Sequence, residues 1–187
     1  SGYTPPSANN ETPPAVTATT QLDDYRVNLT PTGIAPVVAQ EQGTAKVPVL
    51  KLEFSRQYTD VIPHVNSIRL HKIGTAADDD LATGGVVLYN DDGAKIGTFD
   101  GDETAVPLGS GTLGGTEAGY VTLGPGLNLG IDGTKTYFVA VNVAPDASFN
   151  PATNTIGLEV QAVTDVTFLD EVNDISSGNF SFEYLQS

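Results

Sequence analysis

The sequence predicts an all-β fold, a two-layer antiparallel β-sandwich with an extended N-terminal strand. Short apolar stretches alternate with polar residues at the two-residue period of a strand. The 20 glycines and 12 prolines fall between these stretches, where turn residues are expected. No long window repeats its apolar residues at the 3.6-residue period of a helix, so strands are expected to form the core.

An extended segment precedes the first strands. Residues 1–15 are rich in Pro, Ser and Asn, a composition that buries little surface and favours a tether. Residues 16–20 (VTATT) are mostly β-branched, and residues 25–30 alternate. We therefore divide the chain into a leader with a candidate donor strand over residues 1–30 and a sandwich domain over residues 31–187. The candidate donor strand presents Val16, Thr17, Thr19, Tyr25, Val27 and Leu29.

The body of the chain contains the other predicted strands. Residues 135–143 (KTYFVAVNV) form the strongest, because β-branched and aromatic residues dominate them. Residues 85–89 and 94–99 flank Asn90-Asp91-Asp92-Gly93, which predicts a tight hairpin. The Gly-rich residues 109–119 predict a long exposed loop. The remaining strands, which bring the total to about nine, are predicted over residues 47–54, 65–73, 119–123, 156–163 and 180–185.

Composition excludes several classes of partner. The chain has 23 acidic and 8 basic residues, for a net charge of −15. Such a surface repels phosphate, so we expect no nucleic-acid partner. No stretch has the apolar length of a membrane span. The sequence has no Cys, which excludes disulfides and thiolate sites. It also has no Met and begins at Ser1, so we expect either signal-peptide removal and an extracellular or cell-surface location, or an excised piece of a longer protein.

One stretch of the chain resembles a recurring module of bacterial and archaeal surface proteins. The resemblance covers about residues 46–144 and lies in VNSIRLHKIGT, in the following VVLYNDDG and in the later GTKTYFVAV. It implies an Ig-like or cohesin-like architecture at a cell surface and names no activity. The N-terminal strand is also similar, in arrangement only, to the donor strands of self-assembling pilins and biofilm-matrix fibre subunits.

The sequence predicts no enzyme. His64 lies at the start of a predicted strand, and His71 alternates out of phase with Ile68 and Leu70, which places it beside Arg69 on a polar face. Neither histidine has a Ser or Asp partner at an informative spacing, and no nucleophile-elbow or phosphate-loop motif is present. Paired carboxylates of a glycosidase are disfavoured, because the acids cluster in turns and the chain has no Trp.

Calcium is the one candidate cofactor, and none is required. Two acidic groups are predicted to meet at one pole of the sandwich, where their oxygens would suit Ca²⁺. The alternative is that Asp simply favours turns. The candidate ligands are Asp78, Asp79, Asp80, Asp100 and Asp102. Three N-x-S/T sequences are candidate glycosylation sites, at a number close to chance, and their acceptors are Asn10, Asn28 and Asn179.

The N-terminal segment carries the main functional hypothesis. An alternating strand on a tether can pair with an exposed sheet edge of a neighbour, and a head-to-tail contact of that kind gives a filament. We therefore expect a structural subunit of an extracellular filament, pilus-like fibre or matrix, with other copies of the chain as partner. The alternatives are an ordinary first strand within a surface adhesion or carbohydrate-binding module, Ca²⁺-binding or not, and a hydrolase accessory domain.

Overall fold

The protein is described from a computed structural model. It describes residues 25–34, 39–57, 62–130, 133–148, 154–170, 175–176 and 180–184. These residues form twelve strands and two short 3₁₀ turns. In chain order the elements are β1 (Tyr25–Gly33), β2 (Val47–Gln57), β3 (His64–Ile73), η1 (Asp78–Asp80), β4 (Leu81–Asn90), β5 (Ala105–Gly111), β6 (Tyr120–Leu123), β7 (Leu127–Asn128), β8 (Thr134–Val143), β9 (Gly157–Glu159), η2 (Val163–Asp165), β10 (Val166–Asp170), β11 (Ile175–Ser176) and β12 (Phe180–Tyr184).

The strands form two sheets, which confirms the predicted all-β sandwich. The first sheet has the order β12-β1-β2-β8-β4-β5, and the second has the order β11-β10-β3-β6, with β7 and β9 also paired to β3. The pairs are antiparallel, with the exception of β1 and β12, which run parallel. The first and last strands of the described chain therefore lie side by side.

The core lies between the two sheets. Leu52 and Phe54 of β2 and Val139 of β8 project from the first sheet, and Ile68 and Leu70 of β3 project from the second. All five are fully buried. This arrangement follows from the alternation of strands, because every second residue faces the same side. A sandwich of this size derives most of its stability from such burial.

Strand β8 is buried on both faces. Tyr137, Val139 and Val141 face the main core, while Phe138 and Ala140 belong to a small second cluster with Tyr89. Phe99, from the connection between β4 and β5, covers this cluster and makes edge contacts with Phe138 and Tyr89 at ring-centroid distances of 5.6 and 5.5 Å. The connection therefore packs on the outer face of the first sheet.

Two of the predicted local structures are wrong. Residues 94–99 do not form the second strand of a hairpin: the returning strand is β5, and residues 91–104 form the connection. The apolar residue Phe99 packs on the outer face of the sheet instead of pairing. The Gly-rich residues 109–119 are not all loop, because 109–111 belong to β5. Gly111 lies there because a side chain would collide with Val121 of the opposite sheet.

Other strand predictions are confirmed, with changes in extent. The predicted strands at residues 25–30, 47–54, 65–73, 119–123, 135–143 and 180–185 correspond to β1, β2, β3, β6, β8 and β12. The strand predicted over residues 156–163 is limited to β9, and β5 and β10 were not predicted. The boundary drawn after residue 30 falls inside β1, which continues to Gly33.

Candidate functional site

The predicted donor strand is divided by the structure. Val27 and Leu29 are 1% and 0% exposed and belong to the main core. Tyr25 begins β1, where its backbone lies opposite Phe180 of β12. Val16, Thr17 and Thr19 lie outside the described residues. The part of the candidate strand that the structure describes is thus a buried strand of its own sheet.

Strand β1 is paired on both sides within this chain. It runs antiparallel to β2 from the Arg26–Gln57 pair to the Gly33–Leu50 pair. It runs parallel to β12 over five consecutive residue pairs. Because β12 is the last strand of the sheet in the described part of the chain, β1 is one strand away from the sheet border.

The opposite border of the first sheet, strand β5, is irregular. Its register with β4 breaks between Val87 and Tyr89, which pair with Ser110 and Ala105. Pro107, an exposed residue within this break, has no N–H to donate. Leu108 has a φ of 59° and is 81% exposed. Bulges and prolines of this kind stop an edge strand from pairing with another chain.

The border formed by β12 is regular by comparison. Its sequence FSFEY contains neither Pro nor Gly, and its register with β1 shows no shift over the five pairs. Among the residues that the structure describes, no strand pairs with its other side. The borders of the second sheet are short, since β6 has four residues and β11 has two. Strand β12 is therefore the border in the described ranges that best suits strand addition.

The acidic residues do not share one pole. Asp78, Asp79 and Asp80 directly precede β4, whereas the connection that carries Asp100 and Asp102 leaves from its other end. The prediction was wrong on this point because the chain returns at β5 and not at residues 94–99. No three His, Asp or Glu side chains group as metal ligands within the described ranges. Calcium binding stays a prediction that a titration of the thermal melting temperature with CaCl₂ would test.

The carboxylates of residues 91–104 accept hydrogen bonds from their own backbone. Asp91 accepts from Gly97 N at 2.8 Å, and Asp92 accepts from Thr104 N at 2.8 Å. Glu103, which is 3% exposed, accepts from the backbone N–H groups of Asp100 and Gly101 at 2.6 and 2.8 Å. Asp100 accepts from Lys95 N and Asp102 N at 2.9 and 3.2 Å. These carboxylates therefore stabilise the connection, as Asp does in turns.

Hydrogen bonding lowers the pKa of two of these carboxyl groups. The pKa of Asp92 lies below its usual value because the backbone N–H and the side chain of Thr104 favour the carboxylate. The pKa of Asp100 is lowered first by the backbone N–H of Asp102. Both groups are ionised at neutral pH, when they can act as acceptors.

Two further acids fix the 3₁₀ turns, and they share a sequence pattern. Asp80 and Asp165 each close an Ala-x-x-Asp turn by accepting from the Ala N–H three residues earlier, both at 2.8 Å. Both are 7% exposed. The second oxygen of Asp80 accepts from Ser148 N at 2.5 Å, while that of Asp165 lies 2.9 Å from His71 Nε2. The repeat AxxD before a strand was visible in the sequence and was missed.

Asp78 connects η1 to the residues that follow β5. Its Oδ1 lies 2.6 Å from Lys72 Nζ, and its Oδ2 accepts from Gly119 N at 2.7 Å. The hydrogen bonds from Lys72 and from Gly119 lower the pKa of the Asp78 carboxyl. Gly114 is required beside it, because its φ is +71° and a Cβ would lie 2.5 Å from Asp78 Oδ2.

His71 lies in a row of polar side chains on the outer face of the second sheet, beside Arg69 as predicted. Its ring meets the ring of Tyr120 edge to face at 4.5 Å, and Arg69 lies over Tyr120 at 4.2 Å. Arg69 is also paired with Glu117 at 2.6 Å. Burial raises the pKa of Asp165, but the hydrogen bonds from His71 and from two backbone N–H groups outweigh it, so the pKa is lowered.

The His71–Asp165 pair has the side-chain contact of a catalytic dyad, but the histidine ring is not accessible to a substrate. A general base needs a free ring nitrogen within reach of a substrate. The second ring nitrogen of His71, Nδ1, is buried and has no hydrogen-bond partner in the described structure. Its side chain is only 12% exposed. The pair therefore fastens η2 to β3.

Of the three predicted glycosylation sites, the structure describes one. Asn28 lies in the middle of β1, where it is half-buried and its Oδ1 is inaccessible. Asn28 alternates with the core residues Val27 and Leu29 and therefore faces away from the core, and its glycosylation stays a prediction. Asn10 and Asn179 lie outside the described residues. Within the described ranges, no helix is long and apolar enough to cross a bilayer.

Comparison of the chain with protein-family models, with curated proteins and with solved structures gives no match.

Proposed function

We propose that this protein is a structural subunit of an extracellular filament or matrix fibre, assembled by addition of its N-terminal strand segment to a neighbouring copy. One observation carries the proposal: β1 enters the first sheet one strand from its border. Tyr25, the first described residue, therefore lies one strand away from a border to which a further strand could be added. Strand addition satisfies a whole row of backbone groups at once, which makes it a strong contact for a short segment.

The contact is head-to-tail, because the donor segment and the acceptor border are different parts of the chain. Heterologous contacts of this kind do not close unless a rotation returns to the start, so they propagate into fibres. Pro107 and the bulged Leu108 shield the β5 border. Because this leaves only the opposite border of the first sheet to accept a strand, it supports a fibre that grows by one kind of contact.

Electron microscopy of the purified full chain tests this function. We expect fibres in negative stain, and denaturant-resistant ladders on a gel, at high protein concentration and moderate salt. A chain that sediments as a monomer under every such condition would remove the proposal. It would leave the adhesion or carbohydrate-binding module, which a glycan array would then examine.

A further inference from the structure

The connection between β4 and β5 contains two Asp-Gly sequences, at residues 92–93 and 100–101. In such a pair the glycine amide nitrogen can attack Cγ of the Asp carboxyl group, because glycine has no side chain to hinder the approach. A Cγ–N bond forms, and the amide proton leaves with a carboxyl oxygen as water, which gives a five-membered cyclic imide. Water that opens the imide at Cγ restores Asp. Water that opens it at the main-chain carbonyl breaks the original peptide bond and gives isoaspartate, whose main chain runs through Cγ.

The fold requires glycine in both pairs. A Cβ at Gly93 would lie 2.6 Å from Asp100 Oδ1 and 2.9 Å from Glu103 Oε1. Gly101 has a φ of +95°, in the left-handed region that residues with a side chain avoid. A larger residue would slow the attack on Cγ, but at either position it would disturb the connection. Both reactive pairs are therefore part of the structure.

The two Asp side chains of these pairs are alike. Asp92 and Asp100 are both exposed. The carboxylate of Asp92 accepts a hydrogen bond from Thr104 N at 2.8 Å, and that of Asp100 accepts from Lys95 N and Asp102 N at 2.9 and 3.2 Å. The pKa of both carboxyl groups is lowered, chiefly by the backbone N–H of Thr104 in one case and of Asp102 in the other. Neither exposure nor ionisation distinguishes the two pairs.

The glycine amides, in contrast, differ. Gly101 N donates to Glu103 Oε2 at 2.8 Å, and Gly101 O accepts from Lys46 Nζ at 2.8 Å. Glu103 is 3% exposed, so water does not readily replace its hydrogen bond. Gly93 N donates to no protein group in the described ranges. Because an amide nitrogen must give up its hydrogen bond before it attacks, the reaction at Gly101 is opposed by a contact that Gly93 lacks.

We propose that Asp92 is a site of spontaneous isomerisation to isoaspartate and that Glu103 protects Asp100 from the same reaction. The reaction needs no reagent other than water, and the proposal is independent of fibre assembly. Isomerisation at Asp92 moves Cγ into the main chain and displaces the oxygen that accepts from Thr104 N. Since Thr104 directly precedes β5, the modification should loosen the entry into this strand.

Peptide mapping of the aged protein tests the proposal. The folded chain is kept for several weeks at neutral pH and physiological temperature, and the same chain unfolded in urea is aged in parallel. Trypsin cleavage after Lys72, Lys95 and Lys135 places Asp92 in peptide 73–95 and Asp100 in peptide 96–135. Electron-transfer fragmentation distinguishes isoaspartate from Asp and reads Asp132-Gly133, in the second peptide, separately. The urea sample gives the intrinsic rate of each Asp-Gly pair.

In the folded chain we expect isoaspartate to accumulate about tenfold faster at Asp92 than at Asp100, the factor that corresponds to one hydrogen bond to a charged group. In urea the two rates should be similar. Equal rates in the folded chain, or a faster rate at Asp100, would overturn the proposal. Isomerisation of both residues in urea and of neither in the folded chain would also overturn it.

Variants of Glu103 test its protective role. Glu103→Ala should raise the rate at Asp100 towards that at Asp92, whereas Glu117→Ala removes an acid paired with Arg69, outside this connection, and should change neither rate. An unchanged rate at Asp100 in folded Glu103→Ala would contradict the protection. If circular dichroism shows that Glu103→Ala does not fold, the comparison of the folded and urea-unfolded native chain decides alone.

Discussion

The two borders of the first sheet are built in opposite ways. On the β5 side, carboxylates hold the flanking segments: Glu103 binds the backbone before the strand, and Asp78 binds Gly119 after it. The strand between them is bulged and contains Pro107. On the β12 side, the strand is regular and its neighbour β1 is anchored by Val27 and Leu29.

The difference indicates that the chain protects one border and leaves the other suited to pairing. Bulges, prolines and short strands are the usual means by which soluble proteins prevent edge-to-edge association. Here a bulge and a proline are found on β5, and the shortest border strands belong to the second sheet, whereas the five residues of β12 include neither a bulge nor a proline. A sheet border without such irregularities is a candidate for pairing with a strand from another molecule.

The largest effect is expected from Leu29→Ala in β1. Leu29 is fully buried, so its truncation should lower the free energy of unfolding by about 3 kcal/mol through lost burial and a residual cavity. The matched change on the other border, Val106→Ala in β5, should cost only about 1 kcal/mol, since Val106 is smaller and 7% exposed. Urea denaturation of both variants measures the difference, and equal losses would contradict the view that β1 is the better anchored strand.

Glu103→Ala should have the next largest effect. It removes two acceptors from the backbone N–H groups of Asp100 and Gly101 at a buried position, a loss of about 2 kcal/mol. Glu103→Gln is the control, because it keeps one acceptor and should lose less. Phe99 lies in the same connection, so near-ultraviolet circular dichroism should report loosening of the aromatic cluster. An unchanged spectrum and unchanged stability would show that the connection is held by other contacts.

Acid should loosen the β5 side through its carboxylates. The pKa values of Asp78, Asp92 and Asp100 are lowered in the folded protein from 3.8. A lowered pKa stabilises the fold above the unfolded-state value, and this contribution is lost as pH falls through the folded-state value. The contribution of these carboxylates to the free energy of unfolding should therefore be constant from neutral pH to about 5 and should decrease below about pH 4.

Amide hydrogen exchange would locate this effect. The amides that donate to these carboxylates should lose protection in acid before the amides of β1 do, after correction for the intrinsic exchange rate at each pH. They are Lys95, Asp102, Thr104 and Gly119. Asp78→Asn should remove the acid dependence at Gly119 alone. Uniform loss of protection across both borders would contradict the assignment.

Leu108→Gly should have the smallest effect, and with the opposite sign. The positive φ of Leu108 costs about 1 kcal/mol for a residue with a Cβ, and its side chain is 81% exposed. Glycine relieves this strain but loses more backbone entropy on folding, so we expect a net stabilisation of about 0.5 kcal/mol. Leu108→Ala retains the strain and is the control. A destabilisation by glycine would indicate that the Leu108 side chain makes a contact that its exposure does not suggest.

The sequence predicted the regular strands well and the irregular ones poorly. Strands β1, β2, β3 and β8 alternate or carry long β-branched runs, and such patterns depend only on local periodicity. Strand β5 (AVPLGSG) was missed, because its proline and glycines are turn residues by composition. One of its glycines, Gly111, is there for close approach to Val121 of the other sheet, which only tertiary structure reveals.

The candidate site was predictable only in part. The polar face of β3 with Arg69 and His71 follows from alternation, but the partner of His71, Asp165, comes from a turn far along the chain. The prediction that the acidic residues meet at one end of the sandwich depended on where the chain reverses direction after β4. The Asn-Asp-Asp-Gly sequence suggested a tight reversal, whereas Asp91 and Asp92 instead cap Gly97 and Thr104 inside a longer connection.

Removal of residues 1–24 is the most direct test that the N-terminal segment joins one copy to the next. A deeper truncation to residue 30 would remove Val27 and Leu29 from the core and confuse unfolding with loss of assembly. The chain 25–187 keeps β1 and should melt within a few degrees of the full chain. We expect fibres from the full chain and monomers from the chain 25–187 in electron microscopy and sedimentation. Fibres of the same form from the shortened chain would contradict the account.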